Sequence, residues 1–350
     1  ANIVQNTLEG DITSQKPATY LQRHENATVI LDEEASSELT RIKTPWLVTS
    51  CVWDPVLQKK AIVWLSELLG KSVLKLTDKD YNNNGMSSLL AEEGNAYDLN
   101  IKMFNALQHT ITGWPGGKPN AEDIHRPERT SPAKKRVIIF SPHPDDDVIS
   151  MGGTFDRLVE QGHEVHIAYQ TSGNIAVSDE EALKFAEVTK SLQIKSDTIE
   201  NIITSLKTKN SHSEDSLNTR TLKGMIRRSE SLAATRYMGL PDRHVHFLDL
   251  PFYETGTVKK ASLSQKDIDL VADLIDSIKP HQIYAAGDLA DPHGTHKVCL
   301  DAVFEALTIL KPNKYMDNCW VWLYRGAWHE WESHEIEMAV PMSPDQVLKK

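Results

Sequence analysis

Long apolar runs, basic stripes and cysteine frameworks are all missing from this 350-residue chain, and each absence removes a class of protein. Runs such as Val137-Ile138-Ile139-Phe140 fall far short of the ~20 apolar residues that a membrane-spanning helix needs, so no membrane partner is expected. Lys and Arg number 38 against 49 Asp and Glu, a formal charge of −11, and no basic stretch is interleaved with aromatics. Nucleic acid is therefore not an expected partner, because neutralising phosphates needs the opposite sign of charge. Cysteine occurs only at Cys51, Cys299 and Cys319, with neither metal-type pairing nor a disulfide framework. That usage points to a reducing compartment and makes the cytoplasm the expected location. An initiator Met and a targeting segment are also missing: the chain opens at Ala1 and reads as a piece of a longer protein.

What is present suits a folded globular protein. Hydrophobic residues make up 40% and charged residues 25% of the sequence, ordinary values for a globular chain. The length favours two domains, or one domain with a sizeable appendage. Residues 1–41 read as a polar helix, a Pro-containing loop, a short strand at Thr28-Val29-Ile30-Leu31 and a helix opened by Asp32-Glu33-Glu34, too little to hold a core. Over 55–69 the apolar positions Val56, Ile62, Val63, Leu65, Leu68 and Leu69 follow the helical period, and Gly70 is the stop signal. Asn82-Asn83-Asn84-Gly85 reads as a turn, and 86–108 as one or two helices. Gly113-Trp114-Pro115-Gly116-Gly117-Lys118-Pro119 and the charged residues that follow read as a linker.

Beyond it the pattern changes. β-rich runs at 136–141, 164–170, 244–248 and 282–286 alternate with helical runs at 152–161, 180–192, 227–238, 265–278 and 296–310. This predicts an α/β fold: a Rossmann-like doubly wound, mostly parallel sheet flanked by helices, preceded by a smaller, mainly helical N-terminal region. Such sheets gather their reactive groups just past the carboxyl ends of the strands.

Two motifs fall at that position. Ser141-Pro142-His143-Pro144-Asp145-Asp146-Asp147 follows the first strand, and crowding three carboxylates beside one imidazole is costly unless a cation offsets the repulsion. The spacing lets His143 and Asp146 face one centre while Asp145 points elsewhere. Asp291-Pro292-His293-Gly294-Thr295-His296 follows the run at 282–286 and opens an apolar helix, with its two histidines on one face. His143, Asp146 and His296 together make three N/O donors with a position left open, the pattern of a catalytic zinc site, although iron or cobalt would also suit it. Either motif alone is a weak signal; their conjunction is specific.

Other histidines have blander readings. His163 and His166 flank a strand whose alternation sends them to opposite faces. His244 and His246 could share a strand face but adjoin no carboxylate cluster, so a structural role is expected. His212, His329 and His334 stand without a constellation and read as solvated or locally bonded. Cys299, on the apolar helix, reads as core.

His143-Pro144-Asp145-Asp146 and His293-Gly294-Thr295-His296, with Arg227-Arg228-Ser229-Glu230, Ala233-Ala234 and Met238-Gly239-Leu240, resemble the LmbE or PIG-L family of zinc-dependent N-deacetylases over roughly 135–328. The resemblance implies that His143, Asp146 and His296 bind zinc, that Asp145 is the general base, that His293 steadies the oxyanion or protonates the leaving amine, and that Arg227 shapes the substrate pocket. Where the family more often has Glu, this chain has the shorter Asp147. The first forty residues, through Leu8-Glu9-Gly10, Pro17-Ala18-Thr19-Tyr20-Leu21-Gln22-Arg23-His24 and Val29-Ile30-Leu31-Asp32-Glu33-Glu34-Ala35, are similar to the carboxyl-terminal end of the glucosamine-6-phosphate deaminase family.

The expected organisation is thus a deaminase-like remnant at 1–43, a helical connecting region and linker at 44–132, and an LmbE-like domain at 133–350. The expected activity is zinc-dependent removal of an acetyl group from the nitrogen of an amino sugar such as an N-acetylglucosamine derivative. Two rival readings are an accessory module of amino-sugar phosphate deamination and a metal-binding module without catalysis.

Overall fold

The apolar spacing over 55–69 produces a helix with both its ends fixed by local chemistry. Asp54 caps Pro55–Leu69 by accepting from Leu57 N at 2.8 Å, and Gly70 closes it in the left-handed region at φ +58, a conformation that costs glycine nothing. In the computed structural model the described residues are 1–120, 126–194, 196–210, 214–255 and 259–350, and the chain divides into two units: residues 1–110 with 332–337, and 111–331 with 338–350. None of the described helices is long and apolar enough to cross a membrane.

In the first unit, Pro55–Leu69 packs with Ser87–Glu93 and Ala96–Gln108 around Trp46, Ile62, Leu65, Tyr81, Leu89 and Leu99. The buried Tyr81 hydroxyl donates to Asn100 Oδ1 at 2.7 Å, which satisfies both groups without water. The expected strand at 28–31 is not formed, and Ile30 is 92% exposed. β-branched residues cannot hold an extended segment without a neighbour to take up its backbone N–H and C=O groups.

The second unit carries a five-stranded parallel sheet in the order β3-β2-β1-β4-β5, where β1 is Arg136–Ser141, β2 Glu164–Tyr169, β3 Val245–Phe247, β4 Gln282–Ala286 and β5 Trp320–Tyr324. The doubly wound expectation holds. Alternation along β1 sends Ile138 and Phe140 to one core with Ile283, Val271 and Val303, and Val137 and Ile139 to another with Ile167, Phe155 and Leu158. Helices Gln265–Ile278 and Thr295–Leu310 contribute to the first core, and Gly152–Glu160 to the second. Both faces of the sheet are therefore covered, as parallel strands require.

Further features of the second unit differ from the sequence expectation. The helix expected from 227 begins ten residues earlier, as Leu217–Tyr237; helix Asp197–Thr208 and strand β5 were not expected. β5 lies at an edge with Trp320, Val321 and Leu323 partly exposed, so its side chains lack the burial pattern that marks an internal strand. Residues 113–119 form a loop that is tied to the sheet unit: Gln161 Nε2 donates to Gly113 O at 2.7 Å and Gln282 Nε2 to Pro115 O at 3.0 Å.

Candidate metal centre

The strand order reverses between β1 and β4, which are direct neighbours with Val137, Ile138 and Ile139 opposite Gln282, Ile283 and Tyr284. This is the topological switch point, where loops on two adjacent strands part and leave a crevice. Both motifs leave from here.

On the β1 side the turn is stapled by Ser141, whose Oγ donates to His143 O at 2.5 Å and accepts from Asp147 N at 3.1 Å. Asp146 Oδ2 accepts from His143 N at 2.9 Å, which aims the carboxylate at the imidazole of its own turn. On the β4 side the organiser is Asp291, buried to 6% exposure. Its Oδ2 accepts from Thr295 N at 2.8 Å and His296 N at 3.2 Å, capping the helix Thr295–Leu310, while Oδ1 accepts from His293 N and faces His293 Nδ1, each at 2.9 Å. Burial works to raise the Asp291 carboxyl, but these bonds hold it below the usual range.

His143, Asp146 and His296 are brought together and could hold a metal ion, with one donor atom of each within 4.8 Å of the others. Asp146 Oδ2 stands 3.4 Å from both His143 Nδ1 and His296 Nε2. That is too long for a good hydrogen bond, and it matches the edge of a tetrahedral shell whose donors lie ~2.0–2.1 Å from a zinc ion, about 3.4 Å. A second observation concerns burial. His296 is 1% exposed, yet neither ring nitrogen has a hydrogen-bond partner among the described residues; a buried donor or acceptor left unmade costs ~1–3 kcal/mol. A cation at Nε2 relieves part of that cost, so the residues fit a metal. Burial would lift the Asp146 carboxyl, but the two facing imidazoles outweigh it and keep it below the usual range.

Asp147, the departure noted in the sequence, finds its own partners despite the missing methylene. Tyr169 Oη donates to its Oδ2 at 2.9 Å, Ser141 Oγ lies 3.3 Å from Oδ1, and burial raises the carboxyl to about 7.

A cleft of about 500 Å³ opens over these donors. Asp145 lines it with Oδ2 2.8 Å from Arg227 Nη2, and Oδ1 makes no hydrogen bond among the described residues. His293 lines it too, its ring edge-on to Trp328 with centroids 6.1 Å apart. Gly173, at φ +63, passes so close that an added Cβ would lie 2.8 Å from Pro144 Cδ. Sequence reasoning singled out Asp145, Arg227 and His293, but not Tyr253, Lys260 or Trp328, which also line the cleft. The capping role of Asp291 had a readable signal, an Asp just ahead of a helix start; the other three lie outside the two motifs and had none.

Among the described residues, the other histidines are not part of the donor group. His163 Nδ1 accepts from Lys135 N at 3.1 Å, and burial pushes its ring down to about 4. His166 does not stand alone on its face: its Nδ1 is 3.0 Å from His246 Nε2 and its ring stacks on His244 at 4.3 Å. Burial pushes His246 down to about 4 as well. Cys299 is fully buried in the core. His212 lies outside the described residues.

Residues 138–307 match the family model PIG-L, described as GlcNAc-PI de-N-acetylase. That stretch is similar to a PIG-L-type domain. Over its whole length the chain is also 55% identical, across 361 aligned positions, to a Bacteroides thetaiotaomicron protein named for its likeness to glucosamine-6-phosphate deaminase. It spans about half of that relative, 54%. Among solved structures, N,N'-diacetylchitobiose deacetylase from Pyrococcus horikoshii shares 20% identity at TM-score 0.36, covering 56% of this chain and 57% of that one. The 4-carboxy-2-hydroxymuconate hydratase from Pseudomonas putida KT2440 shares 21% at TM-score 0.34, covering 52% and 59%. Overlaps this slight support no functional conclusion. Both motifs and Arg227 lie inside the PIG-L stretch.

Proposed function

We propose that the PIG-L domain hydrolyses an N-acetyl amide on an amino sugar, such as an N-acetylglucosamine derivative, releasing acetate and the free amine with the help of a zinc ion held by His143, Asp146 and His296. The observation that carries the reading is the buried, unpartnered imidazole of His296 beside a carboxylate oxygen equidistant from two imidazoles. When bound there, zinc would polarise the amide carbonyl and bring the pKa of water near 7.

The chain's own residues supply the rest. Arg227 fixes the Asp145 carboxylate through Oδ2, and Oδ1, on a residue that lines the cleft, takes a proton from the attacking water. With the Asp291 carboxylate taking the Nδ1 proton of His293 as its hydrogen bond, it is the doubly protonated ring that would offer its Nε2–H to the developing oxyanion or pass that proton to the departing amine. Each such group is typically worth two to four orders of magnitude in rate. The walls that shed water are Ile149, Ile175 and Trp328, all partly exposed at the cleft.

Residues 1–43 we read as the end of a deaminase-like domain, a reading the relative's name and greater length favour. Steady-state acetate release from N-acetylglucosamine derivatives tests the deacetylase. Acetate without ammonia is the expected result; a metal-loaded chain that releases neither would leave only a binding module.

A further inference from the structure

One ammonium group in the cleft has no hydrogen-bonded counter-group among the described residues. Lys260 Nζ is buried yet makes no hydrogen bond to any described residue, and it sits 3.6 Å over the face of the Tyr253 ring. Tyr253 packs edge-on against His143 with centroids 6.0 Å apart, so the charge stands two short steps from the candidate metal donors and lines the same cleft.

A lysine free to choose extends its stem over apolar surface and keeps its head in water. This one does the reverse. The aromatic face compensates part of the lost hydration, and Glu254 and Asp291 act on the ammonium only through space, against a burial effect that depresses its basicity. An unpaired buried charge is costly, and a bound anion would remove the cost. Arg227, the other cation here, is already committed: its Nη1 donates to Glu230, and its Nη2 to Asp145 and Pro144 O.

We propose that Lys260 is a specificity-determining residue of the cleft and receives a phosphomonoester carried by the amino-sugar substrate. The proposal rests on the deacetylase reading for the sugar, though not for the anion. Phosphate is favoured over carboxylate because a single ammonium is a compact point charge, whereas planar two-oxygen pairing with a carboxylate suits the guanidinium fork. The sugar ring would lie between the metal donors and Lys260, against the exposed faces of Ile175 and Trp328.

Calorimetric binding of glucosamine 6-phosphate, glucosamine 1-phosphate and glucosamine to the whole 350-residue chain reads anion recognition without turnover. The unaltered chain is expected to bind one of the two phosphates more than about tenfold tighter than glucosamine, since a hydrogen bond to a charged group is worth about that much or more. Lys260→Met, which keeps the stem over Tyr253, should bring the ratio to within about threefold, and Lys260→Arg should keep most of it. In acetate-release assays on the N-acetyl counterparts, Lys260→Met should raise KM for the phosphorylated sugar and leave kcat in place, the mark of lost uniform binding. Equal binding of all three compounds, or an undiminished ratio in Lys260→Met, overturns the assignment. Absence of acetate with the binding ratio intact would remove the deacetylase reading and leave the anion site standing.

Discussion

Arg227 grips Asp145, with Nη2 2.8 Å from Oδ2, and the same nitrogen donates to Pro144 O at 2.6 Å. One side chain thereby fixes both the carboxylate and the turn that carries it. Asp145→Asn preserves shape and removes the basic oxygen. It should retain the metal content of the unaltered chain, read by atomic emission, while acetate release falls about 100- to 10,000-fold. Loss of metal in this variant would mean that Asp145 is a donor and not a base.

In the proposed metal site His296 supplies a donor that Asp146 and His143 cannot replace. An ion that binds only the native chain raises stability by RT ln(1 + [L]/Kd), about 2.7 kcal/mol at a hundredfold excess over Kd. Adding zinc to the chelator-treated chain should raise Tm, and His296→Ala should abolish the rise. An equal rise in both proteins would move the ion to another place.

Gly173 combines a left-handed backbone, φ +63, with a neighbour 2.8 Å from where a Cβ would sit, and Arg227 Nε is 3.4 Å from the same point. Gly173→Ala should destabilise the chain by roughly 1–3 kcal/mol and disturb turnover by displacing the Pro144 turn. Urea midpoints and KM for acetate release report the two effects, and unchanged values in both would refute the packing argument.

Acid should unfold the chain partly through His163. Its ring takes a proton near 4 in the folded chain against 6.5 when unperturbed, because of burial and then the charges of Lys135 and Lys134. The unfolded state thus binds more protons between those values. The stabilisation is complete above about pH 6.5 and is lost as pH falls toward 4, by at most about 3 kcal/mol. His163→Asn, whose amide oxygen can still accept from Lys135 N, should flatten that part of the stability–pH curve measured with chelator present. An unaltered slope would assign the effect to other groups, such as His246.

Much of the site was legible because its key residues come as two short motifs placed directly after apolar strands, and a parallel sheet leaves such loops few places to go. His143, Asp146 and His296 follow from that logic, as does the helix that His296 opens. What stayed hidden depends on loops whose path no periodicity records: Tyr253 and Lys260 lie between β3 and the helix Gln265–Ile278, and Trp328 after the edge strand. The imidazole cluster of His166, His244 and His246 escaped notice because register between β2 and β3, with Ala168 opposite His246, is a property of two strands and not of either alone. The strand expected at 28–31 failed for the converse reason, having residue types suited to a sheet and no sheet beside it.

The pairing of β1 with β4 has a consequence for how the protein is made. The candidate donors follow neighbouring strands although the whole of β2, β3 and their helices intervenes in the chain, so an emerging polypeptide holds only half of the proposed site until β4 has left the ribosome and slotted in beside β1. An ion held there would be a clasp that only a correctly threaded sheet can fasten. By the same geometry, the intervening segment can lengthen or diversify over evolutionary time without shifting the clasp.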